Sequence, residues 1–370
     1  LCIHLLLMLD FIPNNIGMSN VCKVPQPYIF LRGQGIKVQS IVTKFADKEG
    51  YKVPTLMGYD EEKSDNSGFE GAIVLEPKTG LYLDDPIAVL DYASLYPSSI
   101  IEKNLSHETL IEDKSLLPVI GEENYYTIEY QNWIYRGKGK GDTIEKVLNE
   151  DEPMKICHFL KPEYMVEKGM VDPKKPMGII PSVLDHLLSA RKATKKRMGS
   201  EKDEFKKKVL DGLQLAYKVT ANSVYGQLGA KTSTIFKLNI AACTTSIGRS
   251  RIDDASDGVK EWARLKRYKE PDVIYGDTDS VFVKFSRKDK DTGKILEGKE
   301  GLQYCIDCGV KSGEWVTKHM LHKPQDLEYE KTFFPFILIS KKRYTGDKFE
   351  LSAEKLKERT SMGIVMKRRD

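Results

Sequence analysis

The feature that most constrains the fold is a short acidic segment, GDTD at residues 276–279, which lies between two apolar segments. VIY at 273–275 precedes it and VFV at 281–283 follows it. Two apolar segments joined by a tight turn predict an antiparallel β-hairpin, here with Asp277 and Asp279 at its tip. Adjacent carboxylates repel each other unless a cation compensates them, so the tip is a candidate metal site. A turn of this composition is by itself more often only a turn.

A further carboxylate ends another apolar segment. Asp91 follows IAVL at 87–90, which we predict to be a strand, as we do AIVL at 72–75. A carboxylate that ends a buried strand is unfavourable without a partner, and a divalent cation is a strong candidate. Carboxylates at the tips of neighbouring strands are what a two-metal phosphoryl-transfer site requires.

Two basic helices are predicted downstream of Asp91. Pro181 is predicted to open the first, residues 199–200 to end it, and the second to run from about residue 202 towards Tyr225. The pair would form a helical hairpin with basic surfaces. Leu238 to Arg249 is predicted to form another buried helix.

Polar residues recur at helical spacing on this hairpin. Arg191 and Lys195 share one face of the first helix, and Lys218 and Asn222 share one face of the second. Facing each other, these residues would present positive charge and an amide to a phosphate group. The alternative, a solvated charged surface, is the usual fate of a run of charges.

Composition limits the possibilities without identifying a function. The chain has 370 residues, room for two or three compact units, and a net charge of only +4, so any nucleic-acid surface must be local. Six cysteines in a chain of this length favour a reducing, intracellular compartment over a disulfide framework. The apolar run at 1–11 contains Asp10 and is too short to span a bilayer. We expect a piece of a longer protein, cut at both ends.

Two segments match a zinc-binding motif and a phosphate-binding motif only in part. Cys305, Cys308, His319 and His322 have spacing too tight for a zinc finger and fit one amphipathic helix near 300–320. GKILEGKE at 293–300 matches a phosphate-binding loop until its final Glu, which stands where Ser or Thr must bind Mg²⁺, and a charged hairpin is the better interpretation. We also predict three further elements from local sequence patterns. They are a strand at 36–38, a solvated loop at 59–68 and a strand at 336–339.

Five segments together resemble the motifs of one enzyme family, in its order. They are FEGA at 69–72, DYASLYPS at 91–98, KVTANSVYG at 218–226, YGDTDS at 275–280 and KKRY at 341–344. In family B DNA polymerases such segments form a linker, a first palm motif, a fingers motif, a second palm motif and a later basic motif. The resemblance spans nearly the whole chain and is closest to the delta-type branch. Residues 14–22 are similar to the versions in large DNA viruses of algae and protists.

The resemblance implies an α+β fold: a right-hand polymerase core with an antiparallel β palm, two-helix fingers and a truncated thumb. The expected segments are a connector at 1–68, palm at 69–177 and 236–345, fingers at 178–235 and the start of a thumb at 346–370. The connector would follow an exonuclease domain that the sequence does not contain. Ser99 stands where an Ile is more usual, a change we expect to be tolerated.

The resemblance also assigns roles to residues. Asp91, Asp279 and the backbone carbonyl of Tyr92 would hold two Mg²⁺ ions, which Mn²⁺ can replace, with Asp277 as a secondary acid. Tyr96 would exclude a 2′-OH, and Lys218 would protonate the departing pyrophosphate. The residues expected to bind the nucleotide are Ser94, Leu95, Tyr96, Arg191, Lys195, Lys218, Asn222 and Tyr225. The residues expected to contact DNA are Gly226, Thr278, Lys341, Lys342, Arg343 and Tyr344.

The implied reaction is DNA-templated transfer of nucleotides from dNTPs to a primer 3′-OH in DNA replication. The expected partners of this monomeric core are primer-template DNA, dNTPs and a sliding clamp or other processivity factor, with no membrane. A viral source would place it in the host nucleus or a cytoplasmic viral factory. One alternative is a truncated, non-catalytic nucleic-acid-binding module. An RNA-making or reverse-transcribing enzyme is another, which Tyr96 and the GDTD turn disfavour.

Overall fold

The computed structural model describes residues 1–53, 67–136 and 145–364 of the chain. Its helices are α1 (Cys2–Met8), α2 (Phe11–Cys22), α3 (Gln26–Leu31), α4 (Gln34–Lys48), α5 (Leu95–Glu102), α6 (Leu117–Ile120), α7 (Pro162–Glu167), α8 (Ile179–Ser200), α9 (Glu204–Gly229), α10 (Leu238–Leu265) and α11 (Gly298–His319). Its strands are β1 (Ser67–Phe69), β2 (Gly80–Tyr82), β3 (Ile87–Tyr92), β4 (Tyr125–Arg136), β5 (Glu145–Leu148), β6 (Met154–Leu160), β7 (Asp272–Asp277), β8 (Ser280–Lys284), β9 (Leu327–Ser340), β10 (Arg343–Phe349) and β11 (Glu358–Met362).

Two compact units divide the chain, and each is built from two stretches of sequence. Unit 1 contains residues 1–70 and 99–246, and unit 2 contains residues 71–98 and 247–370. Of the three boundaries, the first follows β1 at residues 70–71, and the other two fall within α5 and α10. The expected division into connector, palm, fingers and thumb remains a prediction, because compactness does not assign these names.

Unit 1 combines a helical hairpin with a small antiparallel sheet. In the sheet, β4 pairs with β1, β5 and β6. The hairpin consists of α8 and α9. Asp203 is the N-cap residue of α9, and its carboxylate accepts hydrogen bonds from the backbone N–H groups of Phe205 (2.9 Å) and Lys206 (3.2 Å). Such a cap satisfies donors that the first turn of a helix otherwise leaves without a partner.

A buried loop holds the first turn of α8. The backbone N–H of Gly178 donates to Asn104 Oδ1 (2.8 Å), that of Ile180 donates to Ser106 Oγ (3.2 Å), and that of Ile179 donates to Glu108. The helix therefore begins two residues before Pro181, its predicted start, because side chains from the loop cap its first N–H groups.

Unit 2 is an antiparallel sheet with helices on one face. The strand order is β11-β10-β9-β3-β8-β7, and β2 also pairs with β9. Alternate residues of β3 point to opposite faces. Leu90 and Tyr92 pack with Trp262 of α10 and Val316 of α11. The opposite face is an aromatic core; it includes Ile87, Val89, Tyr275, Phe282, Phe333, Phe336 and Tyr344.

Most of the predicted elements are present. The α+β class with antiparallel sheets, the helical hairpin, the 273–283 β-hairpin and a helix near 300–320 are confirmed. The buried helix predicted at 238–249 continues to Leu265, and the strand predicted at 336–339 is the last part of β9. Residues 59–66 of the predicted solvated loop lie outside the described residues.

Two predicted strands are wrong. Residues 36–38 belong to α4, where Val38, Ile41 and Val42 are buried at helical spacing. Residues 72–75 contribute only an isolated bridge between Val74 and Asp277. A run of three or four apolar residues is too short for its periodicity to distinguish a helix, a strand and an irregular segment.

The structure agrees with the cautious interpretation of the cysteines and of the glycine-rich loop. Cys305 and Cys308 are buried in α11, and all six cysteines are free thiols. Within the segment that resembles a phosphate-binding loop, Ile295 forms a β-bridge with Lys288, as expected of a charged hairpin, and residues 298–300 begin α11. No helix in the described part of the chain is both long and apolar enough to cross a membrane.

Candidate active site

The strand pair β3–β8 brings the two principal carboxylate-bearing segments together. Asp91 lies directly opposite Ser280, the residue after Asp279. The backbone N–H of Tyr92 donates to the carbonyl oxygen of Asp279 (2.8 Å), which ties the hairpin tip to the end of β3. Alternation along β3 places Asp91 on the face of Val89, opposite to the helices. Residues 188 positions apart in the sequence thus become neighbours through backbone pairing.

Asp279 is held in surroundings that disfavour its negative charge. It is half-buried, and burial is the main reason why its pKa is raised. The nearby carboxylates of Asp277 and Glu330 raise the pKa further, while its own backbone N–H and Lys342 oppose the shift. Among the described residues, no cation forms an ion pair with Asp279. A divalent cation would relieve this charge.

Asp277, in contrast, already has partners. Its carboxylate forms an ion pair with Lys342 Nζ (2.5 Å) and accepts hydrogen bonds from the hydroxyls of Thr278 (3.1 Å) and Tyr275 (3.4 Å). The two acids of one turn therefore differ: Asp277 forms an ion pair with Lys342, whereas Asp279 has no ion pair among the described residues and its charge is disfavoured overall.

Sequence reasoning missed two glutamates next to these acids. Glu328 of β9 lies opposite Asp91, and Glu330 is close enough to Asp279 to raise its pKa. The pairing of β3 with β9 is irregular between Val89 and Leu90, opposite Lys331 and Tyr329, so Glu330 is the extra residue of a β-bulge. The alternating acids in LEYE at 327–330 were the available signal.

The oxygen atoms at this end of the sheet suit Mg²⁺. Asp91, Asp279 and the carbonyl of Tyr92 offer hard oxygen ligands, which Mg²⁺ prefers. The described parts of the chain contain no group of three or more His, Cys, Asp or Glu side chains placed to hold a metal ion. The cysteine and histidine residues considered for zinc do not form such a group, and the set of Asp91, Asp279 and the Tyr92 carbonyl remains a prediction.

The chain turns sharply between β3 and α5. Ser94 has φ of 60°, in the left-handed region, and α5 begins at the next residue, Leu95, which is 3% exposed. Tyr96 packs on Gly248 of α10, where an added Cβ would lie 2.8 Å from Tyr96 Cε1. A glycine at position 248, which sequence reasoning missed, is thus required by the position of the Tyr96 ring.

In unit 1, the α8–α9 hairpin places Arg191 of α8 in contact with Gln214 of α9. Arg191 Nε donates to Gln214 Oε1 (3.3 Å), and Gln214, Lys218 and Asn222 follow at intervals of four residues on α9. Lys195, Lys218 and Asn222 are exposed. Arg191 therefore lies beside the face of α9 that carries Gln214, Lys218 and Asn222. The prediction that the polar faces of the two helices meet requires this position of Arg191.

The remaining nucleotide- and DNA-contact candidates differ in exposure. Tyr225 is half-buried, which raises its pKa to about 12, whereas Gly226 is exposed, with no atom within 4 Å of an added Cβ. Thr278 adopts φ of 60° at the hairpin tip, and its N–H donates to the Ile73 carbonyl (3.0 Å).

Two lysines of the basic turn between β9 and β10 form ion pairs with acidic residues of unit 2. Lys341 forms an ion pair with Glu76 (2.6 Å), and Lys342 contacts Asp277. Arg343 is exposed, but Tyr344 is only 6% exposed and packs in the aromatic core. Of the four residues, Tyr344 has the least surface to offer to DNA.

Comparisons with known proteins agree over almost the whole chain. A family model described as DNA polymerase family B matches residues 24–370. A DNA polymerase of Pyramimonas orientalis virus is 40% identical, with 100% of this chain and 32% of the viral protein covered. The DNA polymerase delta catalytic subunit of Candida albicans is 36% identical, with 96% of this chain and 29% of the yeast protein covered.

A solved structure is also similar. The family B DNA polymerase of the hyperthermophilic archaeon Pyrobaculum calidifontis has a TM-score of 0.57 and 25% identity, covering 96% of this chain and 36% of the archaeal one. The chain therefore spans about a third of the length of the proteins it matches. The expected similarity to delta-type and algal-virus enzymes is confirmed.

Proposed function

Because the chain belongs to DNA polymerase family B, we propose that it carries the chemistry of DNA-templated DNA synthesis, the transfer of a nucleotide from a dNTP to a primer 3′-OH. One observation carries this proposal above the others. Asp91 pairs across β3 and β8 with Ser280, the residue after Asp279, and no cation of the described residues forms an ion pair with Asp279, whose charge is disfavoured by burial and by two nearby carboxylates. Such a pair of carboxylates is suited to binding the divalent ions of phosphoryl transfer.

Asp91, Asp279 and the Tyr92 carbonyl would hold two Mg²⁺ ions. When bound, Mg²⁺ lowers the pKa of a hydroxyl nucleophile and neutralises charge on the phosphates. Glu330 adds negative potential beside Asp279. Asp277 shapes the turn through Lys342 and acts as a secondary acid.

Residues of the α8–α9 hairpin would bind the triphosphate. Arg191 and Lys195 would supply positive charge from α8, and Lys218 and Asn222 a second row from α9. The contact of Arg191 with Gln214 supports this, because it holds the guanidinium beside that second row. Lys218 would also give its proton to the departing pyrophosphate, a general-acid role.

The remaining residues would recognise shape rather than sequence, which base pairing supplies. Ser94 and Leu95 would offer backbone N–H groups to the triphosphate, and Tyr96 would exclude a 2′-OH. Tyr225 and Gly226 would line the new base pair.

DNA contacts would come from the hairpin tip and the basic turn. Thr278 would meet the primer end, and Lys341, Lys342 and Arg343 would meet the backbone of the duplex. Because Tyr344 is buried, we propose that it supports this turn more than it touches DNA. A role in replication and a sliding clamp as partner are the finer parts of the proposal, supported by similarity to a delta catalytic subunit.

Primer extension tests the proposal. The purified chain is given a labelled primer-template, dNTPs and Mg²⁺, beside Asp279→Asn and a matched control, Asp291→Asn, which changes an exposed acid in the 289–294 turn. We expect extension to require Mg²⁺ and to disappear only in Asp279→Asn, while fluorescence anisotropy shows primer-template binding in all three. Extension by Asp279→Asn would remove this residue from the metal site. Binding without extension by the unchanged chain would favour the non-catalytic alternative.

A further inference from the structure

Unit 1 contains a cleft of about 580 Å³ that is lined by none of the residues in the proposed polymerase roles. One wall is α4, which contributes Lys44, Phe45 and Lys48, and another is α8, which contributes His186. The rings of Phe45 and His186 contact each other in this lining, with their centroids 5.4 Å apart and an angle of 55° between their planes. Its volume is in the range of small-molecule sites, roughly 300–1,000 Å³.

Positive charge dominates the lining. Lys23, Lys44, Lys48 and Lys174 line the cleft, and none of their ammonium groups forms an ion pair with another described residue. A fifth lysine, Lys175, is paired with Glu49 (2.6 Å), which leaves Asp185 as the other carboxylate of the lining. Surface lysines are usually solvated singly, whereas here four of them border one concavity.

The positive charge of the lining affects the pKa of His186. Partial burial lowers its pKa, Lys23, Lys48 and Lys44 lower it further, and Asp185 opposes them. Lys174, Lys175 and Glu49 also line the cleft, as does the phenol of Tyr217 from α9. The His186 ring therefore takes up a proton less readily than an ordinary imidazole, and it lines the cleft beside Phe45.

The cleft lies away from the proposed triphosphate residues of the same helix. Nine positions separate His186 from Lys195, which is about two and a half helical turns, so the two side chains point to opposite sides of α8. A ligand in the cleft would contact α4 and the first half of α8, not the row of Arg191 and Lys195.

We propose that this cleft binds a nucleoside polyphosphate at a second site, with the phosphates among Lys23, Lys44, Lys48 and Lys174 and the base against Phe45 and His186. Several ammonium groups around one concavity are complementary to an oligophosphate, and aromatic faces stack on bases. The limited volume favours a nucleotide over a strand of nucleic acid. The inference does not depend on the polymerase function.

The pKa of His186 is the most direct probe. A polyanion bound among the lysines offsets their field, so the pKa of His186 should rise when ligand binds. NMR titration of the histidine resonances would measure it in the purified chain with EDTA, without ligand and then with ATP, inorganic triphosphate or adenosine. His186→Gln assigns the resonance among the six histidines. We expect the rise with ATP and, at higher concentration, with triphosphate, but not with adenosine.

Two double variants distinguish ATP binding in the cleft from a non-specific effect of surface charge on ATP affinity. Lys44→Ala/Lys48→Ala should weaken ATP binding by at least about tenfold in calorimetry, the loss expected for charge-assisted hydrogen bonds. Lys192→Ala/Lys196→Ala, which removes two exposed lysines at the same spacing on α8, should leave the cleft affinity unchanged. Circular dichroism verifies that both variants fold.

Four results would overturn the inference. The first is a His186 pKa that does not move at saturating ATP. Equal weakening by the two double variants would show a non-specific effect of surface charge. Equal affinities for triphosphate and ATP would exclude the base contact. A single-stranded oligonucleotide that shifts the His186 pKa at lower concentration than ATP would assign the cleft to a nucleic-acid strand.

Discussion

The acids at the tip of the β7–β8 hairpin show how much depends on the surroundings of one residue. Asp277 and Asp279 are two positions apart, yet Lys342 compensates the first, while burial and two carboxylates act against the charge of the second. Unfavourable charge of this kind is characteristic of a functional site, because a ligand rather than the fold relieves it. The cost has a measurable effect on stability.

Asp279→Asn should stabilise the metal-free chain at neutral pH. The folded-state pKa of Asp279 lies above the ordinary 3.8, so the native state binds the proton more readily than the unfolded state. Its contribution to stability is full below about pH 4 and is lost as pH rises through the folded-state pKa. Urea denaturation in EDTA from pH 3.5 to 8 should show a higher midpoint for the variant only towards neutral pH. Equal midpoints throughout would contradict this.

Mg²⁺ should reverse the order of stability of the two proteins. A ligand that binds only the native state stabilises it. Added Mg²⁺ should therefore raise the denaturation midpoint of the unchanged chain and of Asp291→Asn, but not that of Asp279→Asn. An equal response from all three proteins would place the Mg²⁺ effect elsewhere.

Gly248→Ala should weaken discrimination between deoxynucleotides and ribonucleotides. The new methyl group would lie 2.8 Å from Tyr96 Cε1, so the ring must move from the position in which we propose it excludes a 2′-OH. The ratio of kcat/KM for dNTP to that for rNTP should fall towards the value of Tyr96→Ala. Gly199→Ala, with no neighbouring atom within 4 Å of the new methyl, is the control. An unchanged ratio would show that the ring does not set the selectivity.

At the scale of elements, the α8–α9 hairpin depends on residues outside its own sequence. Asn104 is fully buried: its amide N–H donates to the Leu160 carbonyl (2.9 Å), and its Oδ1 accepts from the Gly178 N–H (2.8 Å). One side chain thus joins the end of β6 to the start of α8. The direction of the helix that carries Arg191 and Lys195 is set in part by this contact.

Asn104→Ala should destabilise unit 1. Two buried backbone groups, the Gly178 N–H and the Leu160 carbonyl, would lose their partner, at a cost of about 1–3 kcal/mol for each unsatisfied group. Chemical denaturation followed by far-UV circular dichroism measures the loss. Asn222→Ala, the same change at an exposed position of α9, should alter stability by less than about 0.5 kcal/mol. Similar losses for both variants would show that the loop does not anchor α8.

At the scale of the whole molecule, two units with separate cores share one chain. Lysine and arginine number 58 against 54 acids, so attraction to DNA must come from local groups such as the β9–β10 turn rather than from net charge. Each unit has its own sheet and helices. Compact units with their own cores often unfold as separate cooperative transitions.

Unfolding should therefore depend on the probe. Trp133 lies in unit 1, whereas Trp262 and Trp315 lie in unit 2 and are the other tryptophans of the chain. In Trp133→Phe, fluorescence should follow unit 2 alone, while far-UV circular dichroism follows both units, and their urea midpoints should differ. Coincident curves would mean that the two units unfold as one.

The amino-acid sequence was sufficient to predict the local structure of much of the candidate site. Alternation around GDTD predicted the β-hairpin, spacing predicted the faces of α8 and α9, and an apolar strand that ends in Asp91 indicated a charged partner. These inferences are local, because they depend on the periods of strands and helices within about 20 residues. The same reasoning failed at 36–38 and 72–75, where a short apolar run fits several structures.

Only the tertiary structure decided which residues meet. The pairing of β3 with β8 and β9 places Asp91 opposite Ser280 and Glu328, and packing of α5 on α10 makes Gly248 a determinant of the position of Tyr96. The cleft between α4 and α8 likewise combines Lys44, Phe45 and His186 from distant parts of the chain. Local periodicity determines the face on which a side chain lies, but the energy of burial and strand pairing determines what that face contacts.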